Sequence, residues 1–159
     1  MDQVHLRPAR SQDRERVIDL IHELNVVEAA LTGDRKRERS AAEAYHRELL
    51  DRLGRRRGEV IVAVVGDIVV GAMGFVIDED AAYVTDDVRR HGTVTDLVVA
   101  PEWRSHGIGR QLLEEAEQRT RAAGCRRLAI GALVANDGAE RLYRSFGFEP
   151  YVSILTKDW

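Results

Sequence analysis

The chain has a single cysteine, Cys125, among 159 residues, so no disulfide can close within it. Cys125 sits between Gly124 and Arg126 with no His or Asp beside it, which suits a structural thiol rather than a nucleophile. Aromatic residues make up only 6% of the chain, and none interleaves the basic run Arg52, Arg55, Arg56 and Arg57. That run therefore lacks the stacking faces of a nucleic-acid binder. A charge excess is missing too: 24 basic against 27 acidic residues leave −3, which gives no general reason to expect nucleic acid as a partner. No apolar run approaches bilayer-spanning length, and the opening MDQVHLRPARSQ is too polar for a signal peptide. Two phosphate-loop signatures are absent: there is no G-x-x-x-x-G-K-[ST], and Gly107-Ile108-Gly109 lacks the third glycine of the dinucleotide pattern. The expectation is a soluble, cytoplasmic protein with no metal, no nucleic acid and no membrane among its partners.

What is present is globular. Apolar residues reach 44% and charged residues 32%, and the length suits one domain over residues 1–159. The informative stretch runs from Thr93 to Ala123. Thr93, Val94, Thr95, Leu97, Val98 and Val99 are β-branched or bulky, with only Asp96 intervening, and Pro101 ends the ladder for want of an N–H. Ile108, Leu112, Leu113 and Ala116 then fall at helical spacing. At the junction, Gly107 and Gly109 clear Cβ atoms from the unpaired amides at a helix mouth, where the dipole, Arg104 and Arg110 supply positive charge. A diphosphate fits such a cradle. An ordinary glycine-bearing turn is the bland alternative.

The rest of the chain reads as alternating elements. Val4–Arg7 is a first strand, and Ser11 caps a helix carrying Val17, Leu20, Ile21 and Leu24. Ser40 and Glu43 have capping-box spacing before a second helix with Tyr45, Leu49, Leu50 and Leu53. Val60–Val65 and Ile68–Ile77 flank a Gly66-Asp67 turn as a hairpin. An acidic segment, Asp78–Asp87, precedes the central strand. Arg127–Leu133 is a further strand, Asn136 opens a helix that Gly147 ends, and Tyr151–Thr156 reads as a last strand. The order is β-α-α-β-β-β-α-β-α-β, an α/β arrangement with a mixed sheet and helices on both faces.

The run Val99-Ala100-Pro101-Glu102-Trp103-Arg104-Ser105-His106-Gly107-Ile108-Gly109 resembles the acyl-CoA signature of the GNAT superfamily of N-acetyltransferases. A second match follows at Asn136-x-x-Ala139-x-x-x-Tyr143-x-x-Phe146-Gly147-Phe148. The resemblance covers residues 93–150. It implies a GNAT-like mixed central sheet, splayed at its central parallel strands, with acetyl-CoA as co-substrate in the opening. Pantetheine would pair with the backbone of Leu97–Ala100, and an N–H near Leu97 or Val98 would hold the thioester oxygen. The diphosphate would rest on Ser105, His106, Gly107, Ile108, Gly109 and Arg110, beside Arg104. Asn136 and Ala139 would border the pantetheine arm.

The implied reaction is direct attack of a primary amine on the thioester. Tyr143 matches the position from which the family's tyrosine donates to the CoA sulfur, although its place on an apolar stripe also suits plain packing. Asp96, a lone acid in an apolar strand, is the candidate to bind or deprotonate the amine, or to hydrogen-bond a loop; His91 is the alternative base. The acidic segment, Asp96 and Glu28 would favour a cationic acceptor. A solvated loop is the alternative reading of that segment. A second reading of the whole chain is a non-catalytic acyl-CoA-binding sensor whose partner surface is the arginine run at 52–57. Tyr151–Leu155 and the aromatics Tyr151 and Trp159 are candidates to pair two copies as a homodimer.

Overall fold

The protein, seen in a computed structural model that describes residues 3–159, is built on one five-stranded sheet of order β1-β2-β3-β4-β5. Its strands are β1 (Val4–Pro8), β2 (Glu59–Val65), β3 (Ile68–Glu79), β4 (Arg90–Val99) and β5 (Leu128–Ile130). Neighbours run antiparallel except β4 and β5, which are parallel and joined by helix α4 (Ile108–Ala122). Helices α1 (Arg14–Thr32) and α2 (Arg39–Gly54) cover one face, packing Ile18, Leu20, Leu49 and Leu53 against Val62, Ala72 and Val98. Helix α4 covers the other, where Ile108, Leu112 and Leu113 meet Ile61, Met73 and Val94. Helix α5 (Asp137–Phe146) joins that second layer through Leu142, Tyr143 and Phe146. A one-turn helix, α3 (Asp86–Arg89), lies just before β4.

Local signals were overridden wherever a charged partner offered more. Ser11 does not cap α1; it lies in a short 3-10 turn, Ser11–Asp13. Asp13 stands at the N-cap position of α1 without a side-chain cap bond to it; its carboxylate accepts from the Arg10 amide at 2.7 Å and from Arg7 on β1 at 2.6 and 3.0 Å. A carboxylate with a guanidinium partner outcompetes a hydroxyl. The Ser40–Glu43 capping box is not formed either, because α2 begins at Arg39 with no side-chain cap. Glu43 pairs with Arg39 at 2.6 Å, and Arg39 reaches across to Asp19 and Glu15 on α1, both at 2.9 Å. The last strand expected at Tyr151–Thr156 is also absent: residues 151–159 carry no regular structure and are exposed. A strand needs a partner edge, and none of the described strands pairs with this segment.

The feature that organises the sheet is a β-bulge in β4. Gly74 pairs with Asp96 and Phe75 with Val94, so Thr95 has no partner on β3. An inserted residue flips the facing of everything beyond it. Val94 accordingly faces α4, whereas Val98, four residues on, faces α1 and α2. Ladder pairing with β5 also stops here: Gly92, Thr93 and Val94 pair with Leu128, Ala129 and Ile130, and no pair follows. Gly74 makes the bulge possible. A Cβ there would lie 2.1 Å from Thr95 Oγ1 and 3.4 Å from Asp96 Oδ2.

Two stability outcomes follow. Gly74→Ala should destabilise the fold by about 1–3 kcal/mol through overpacking against Thr95, measured by urea unfolding; a wild-type midpoint would contradict the role given to Gly74. Asp13 is 5% exposed, and the Arg7 hydrogen bonds hold its carboxyl below the usual carboxylate range. Its stabilisation is complete above the unfolded-state value near about 4 and is lost as pH falls through the depressed folded value. Asp13→Asn should therefore cost about 3 kcal/mol at pH 7, and the gap to wild type should close in acid.

Candidate active site

Beyond β4 the chain makes a 3-10 turn, Pro101–Trp103, and then lifts its backbone toward solvent. Ser105 and Gly107 both take left-handed conformations, with φ of 63° and 80°. The first helical hydrogen bond of α4 runs from Gln111 N–H to Gly107 O at 3.0 Å. The amides of Ile108, Gly109 and Arg110 therefore have no helical acceptor, and no side chain caps them. Gly109 also lets three elements close up, since a Cβ there would meet Leu142 at 3.0 Å and Leu97 at 3.8 Å. Arg104 donates through Nε to Val99 O at 3.0 Å, and the Arg110 guanidinium lies 5.4 Å over the Phe146 ring. His106 accepts from or donates to Arg104 O at 2.7 Å. Orphan amides, a helix dipole and two guanidinium groups converge here, and that chemistry suits a phosphate-bearing ligand.

The neighbouring edge of β4 is open because β5 has diverged. Ala100 N–H donates into β3, at Val70 O, 2.8 Å away. Backbone groups alternate in direction along a strand, so Val98 points into the ladder while Leu97 and Val99 point to the gap. Val98 itself is buried against the α1/α2 layer. Helix α5 shares the layer of Leu97 through Leu142 and Tyr143. Asn136 is its N-cap, with Oδ1 accepting from Ala139 N–H at 3.1 Å, so the carbonyl end of this side chain is committed to the helix.

The other end of α5 fixes Tyr143. Gly147, at φ 107°, donates to Arg144 O, and Phe148 N–H donates to Tyr143 O, both at 3.0 Å. This pair of bonds is the Schellman closure, which turns Phe148 back so that its ring meets Tyr143 edge-on at 6.0 Å. The run Phe146-Gly147-Phe148 thus holds the tyrosine in place. Burial pushes the Tyr143 phenol up to about 12, with smaller contributions from the negative charges of Glu28 and Asp96. It is protonated throughout the neutral range, and its hydroxyl has no hydrogen-bond partner among the described residues.

Asp96 lies on the opposite side of the splay. After the bulge its side chain shares the α2 face with Thr95, where both approach Gly74. It is 15% exposed, and the Tyr45 hydroxyl on α2 lies 2.8 and 3.0 Å from its two oxygens. Arg52, two turns further along α2, donates to the Tyr45 oxygen at 3.3 Å and stands 4.0 Å from Asp96. Neither Tyr45 nor Arg52 stood out as a site residue in the sequence. Fifty-one positions separate Tyr45 from Asp96, and Tyr45 sits on a stripe that reads as helix core; its hydroxyl was the only signal.

The first three acids of the acidic segment have partners of their own. Arg56 pairs with Asp78, Arg89 with Glu79 at 2.7 Å, and His91 Nδ1 lies 3.6 Å from Asp80. His91 is not in a loop but buried in β4, five residues from Asp96, or about 16 Å along the strand. It is too far to act on the same amine. A hollow of about 450 Å³ at that end lies among charges already matched. Three of the four arginines read as a partner surface have partners within the fold: Arg52 with Tyr45, Arg55 with Asp51 and Arg56 with Asp78. Among the described residues no group of three or more His, Cys, Asp or Glu could hold a metal ion, and no helix is long and apolar enough to cross a membrane.

Comparison with known proteins shows the family and the fold. A stretch of 58 residues is 40% identical to an aminoglycoside N(6')-acetyltransferase type 1 from Stenotrophomonas maltophilia; the match spans 36% of this chain and 38% of that protein's length. Over the whole chain the fold resembles a transcriptional regulator from Bacillus halodurans C-125, with a TM-score of 0.76, 21% identity and coverage of 99% and 100% of the two chains. It also resembles the aminoglycoside N-acetyltransferase AAC(6')-Iy in complex with CoA, at a TM-score of 0.70, 17% identity and coverage of 100% and 96%. The family model for the acetyltransferase (GNAT) family matches residues 24–148, and the protein belongs to that family.

Proposed function

We propose that the protein is an acetyl-CoA-dependent N-acetyltransferase in which a primary amine attacks the thioester directly. The observation that carries this reading is the splay itself. The β4 edge has no strand partner at Leu97 and Val99, where only the Arg104 side chain reaches Val99 O, orphan amides lie at one end of it, Tyr143 flanks it from one layer and Asp96 from the other. Acetyl-CoA supplies the activated acetyl group. The amides of Ile108, Gly109 and Arg110, with those of Ser105, His106 and Gly107, take the diphosphate, and Arg104 and Arg110 balance its charge. Leu97 and Val99 pair with the amides of the pantetheine arm as a strand edge pairs with a peptide. Leu97 N–H, directed into the gap, stabilises the charge that develops on the thioester oxygen. Asn136 has an amide nitrogen left to donate beside Ala139.

Tyr143 donates a hydrogen bond to the departing sulfur. A phenol at about 12 is a weaker acid than a thiol near about 8.5, so full proton transfer from Tyr143 is uphill. Its main contribution is a donor already in place where thiolate charge appears. Asp96 takes the amine or its proton on the other face. It favours a small cationic acceptor of the aminoglycoside or polyamine kind, with Glu28, paired to Arg35 at 3.1 Å, adding little; the curated relative named above acts, by its name, on an aminoglycoside. The buried, solitary Cys125 suits a reducing cytoplasm.

A homodimer belongs to the same reading. The outer edge of β5 has no strand partner among the described residues, and beside it Tyr151, Val152, Ile154 and Leu155 are exposed. Arg127, next to β5, stacks over Tyr151 at 4.8 Å and delivers the segment to that edge. Open edge and apolar segment complement each other in a second copy.

Release of free CoA, followed with acetyl-CoA and a panel of polyamines, aminoglycosides, amino acids and peptides, tests the activity; tight CoA binding without turnover would favour the sensor reading. Tyr143→Phe should lower kcat at least tenfold and leave acetyl-CoA affinity by calorimetry within twofold. Because Tyr143 stays protonated until pH approaches 12, kcat/KM should climb with pH toward the amine's own value near about 10, with no fall from this residue. Deleting residues 151–159 should convert a dimer to a monomer by light scattering; a wild-type monomer would end the dimer proposal.

A further inference from the structure

We infer that Tyr45 is a positioning residue that holds the Asp96 carboxylate at the acceptor side of the splay, with Arg52 anchoring Tyr45 in turn. The inference rests on the acetyltransferase reading for its kinetic consequence, but its geometry stands alone. Tyr45 and Asp96 come from different layers, α2 and β4, and the hydroxyl sits almost symmetrically before both carboxylate oxygens, at 2.8 and 3.0 Å. One phenolic proton shared between two oxygens fixes the carboxylate plane while leaving lone pairs on both oxygens free. A carboxylate beside a bulge needs such a restraint, since the neighbouring Thr95 has no partner on β3 and its Oγ1 is buried without a hydrogen bond. Arg52 serves both partners: it donates to the Tyr45 oxygen at 3.3 Å and forms an ion pair with Asp96 at 4.0 Å. Its remaining donors stay in solvent, where more than half of its side chain is exposed. Burial, the Asp96 charge and the hydrogen bond to it all raise the Tyr45 phenol, which therefore remains the donor at any working pH. The amine thus meets a carboxylate whose orientation is set before it arrives, which lowers the cost of binding it.

The test compares Tyr45→Phe, Asp96→Asn and the double variant, in kinetics and in crystal structures. Tyr45→Phe should raise KM for the acceptor amine about tenfold with KM for acetyl-CoA unchanged. Asp96→Asn should cost more, and the double variant no more than Asp96→Asn alone, because Tyr45 acts through the acid. Additive losses, or wild-type kinetics for Tyr45→Phe beside an impaired Asp96→Asn, would overturn the inference. The crystal structure of Tyr45→Phe should show the Asp96 carboxylate rotated or split between orientations. An unmoved carboxylate refutes the positioning role even if no amine in the panel is acetylated, an outcome that would sink the acetyltransferase reading separately.

Discussion

The close approach of Gly74 to Thr95 is the contact on which the rest of this molecule depends. Because position 74 carries no side chain, β4 can hold one residue more than β3 and still pair on either side of it. The extra residue exchanges the two faces of the strand. It turns Asp96 toward α2 and Leu97 toward the gap, and it coincides with the end of the β4–β5 ladder. A regular strand would direct Asp96 to the face of Val94, into the α4 core, where an ionised carboxylate would be costly. One glycine therefore separates a closed sheet from a sheet with an accessible edge.

Helix ends do the remaining positioning. At the start of α4, left-handed Ser105 and Gly107 swing the backbone so that three successive amides face outward without acceptors. At the end of α5, left-handed Gly147 closes a Schellman motif that folds Phe148 back against Tyr143. The same closure recurs where α4 ends. There Gly124 donates to Arg121 O and Cys125 to Thr120 O, which leads the chain into β5 and buries Cys125. Glycine is used here for conformation, and at Gly107 and Gly147 it fixes a group on the rim of the splay.

Charge is sorted along the length of β4. At its beginning, Asp78 and Glu79 are matched by Arg56 and Arg89, and His91 Nδ1 stands near Asp80. At its other end, Asp96 has a neutral hydroxyl as its nearest partner and an arginine held a little further off. The first arrangement stabilises a loop. The second leaves a carboxylate with free lone pairs beside an open edge, which is the condition for receiving a cation from outside.

Much of this was legible beforehand. The period change between Val99 and Ile108 marked the strand-to-helix junction, the Gly66-Asp67 turn marked the hairpin, and the spacing of Asn136, Tyr143 and Gly147 marked α5 from cap to cap, because each rests on contacts within a few residues. Signals of the same local kind misled at Ser11 and Ser40, where arginines from β1 and α2 recruited the nearby acids, and at Tyr151–Thr156, where β-propensity found no edge in its own chain. Only the tertiary structure decided which way Asp96 faces, that Tyr45 reaches it across two layers, and that His91 stands at the wrong end of the strand. Those facts depend on registry between β3 and β4. Registry is settled by a steric contact between residues far apart in the chain, and no spacing along a single strand encodes it.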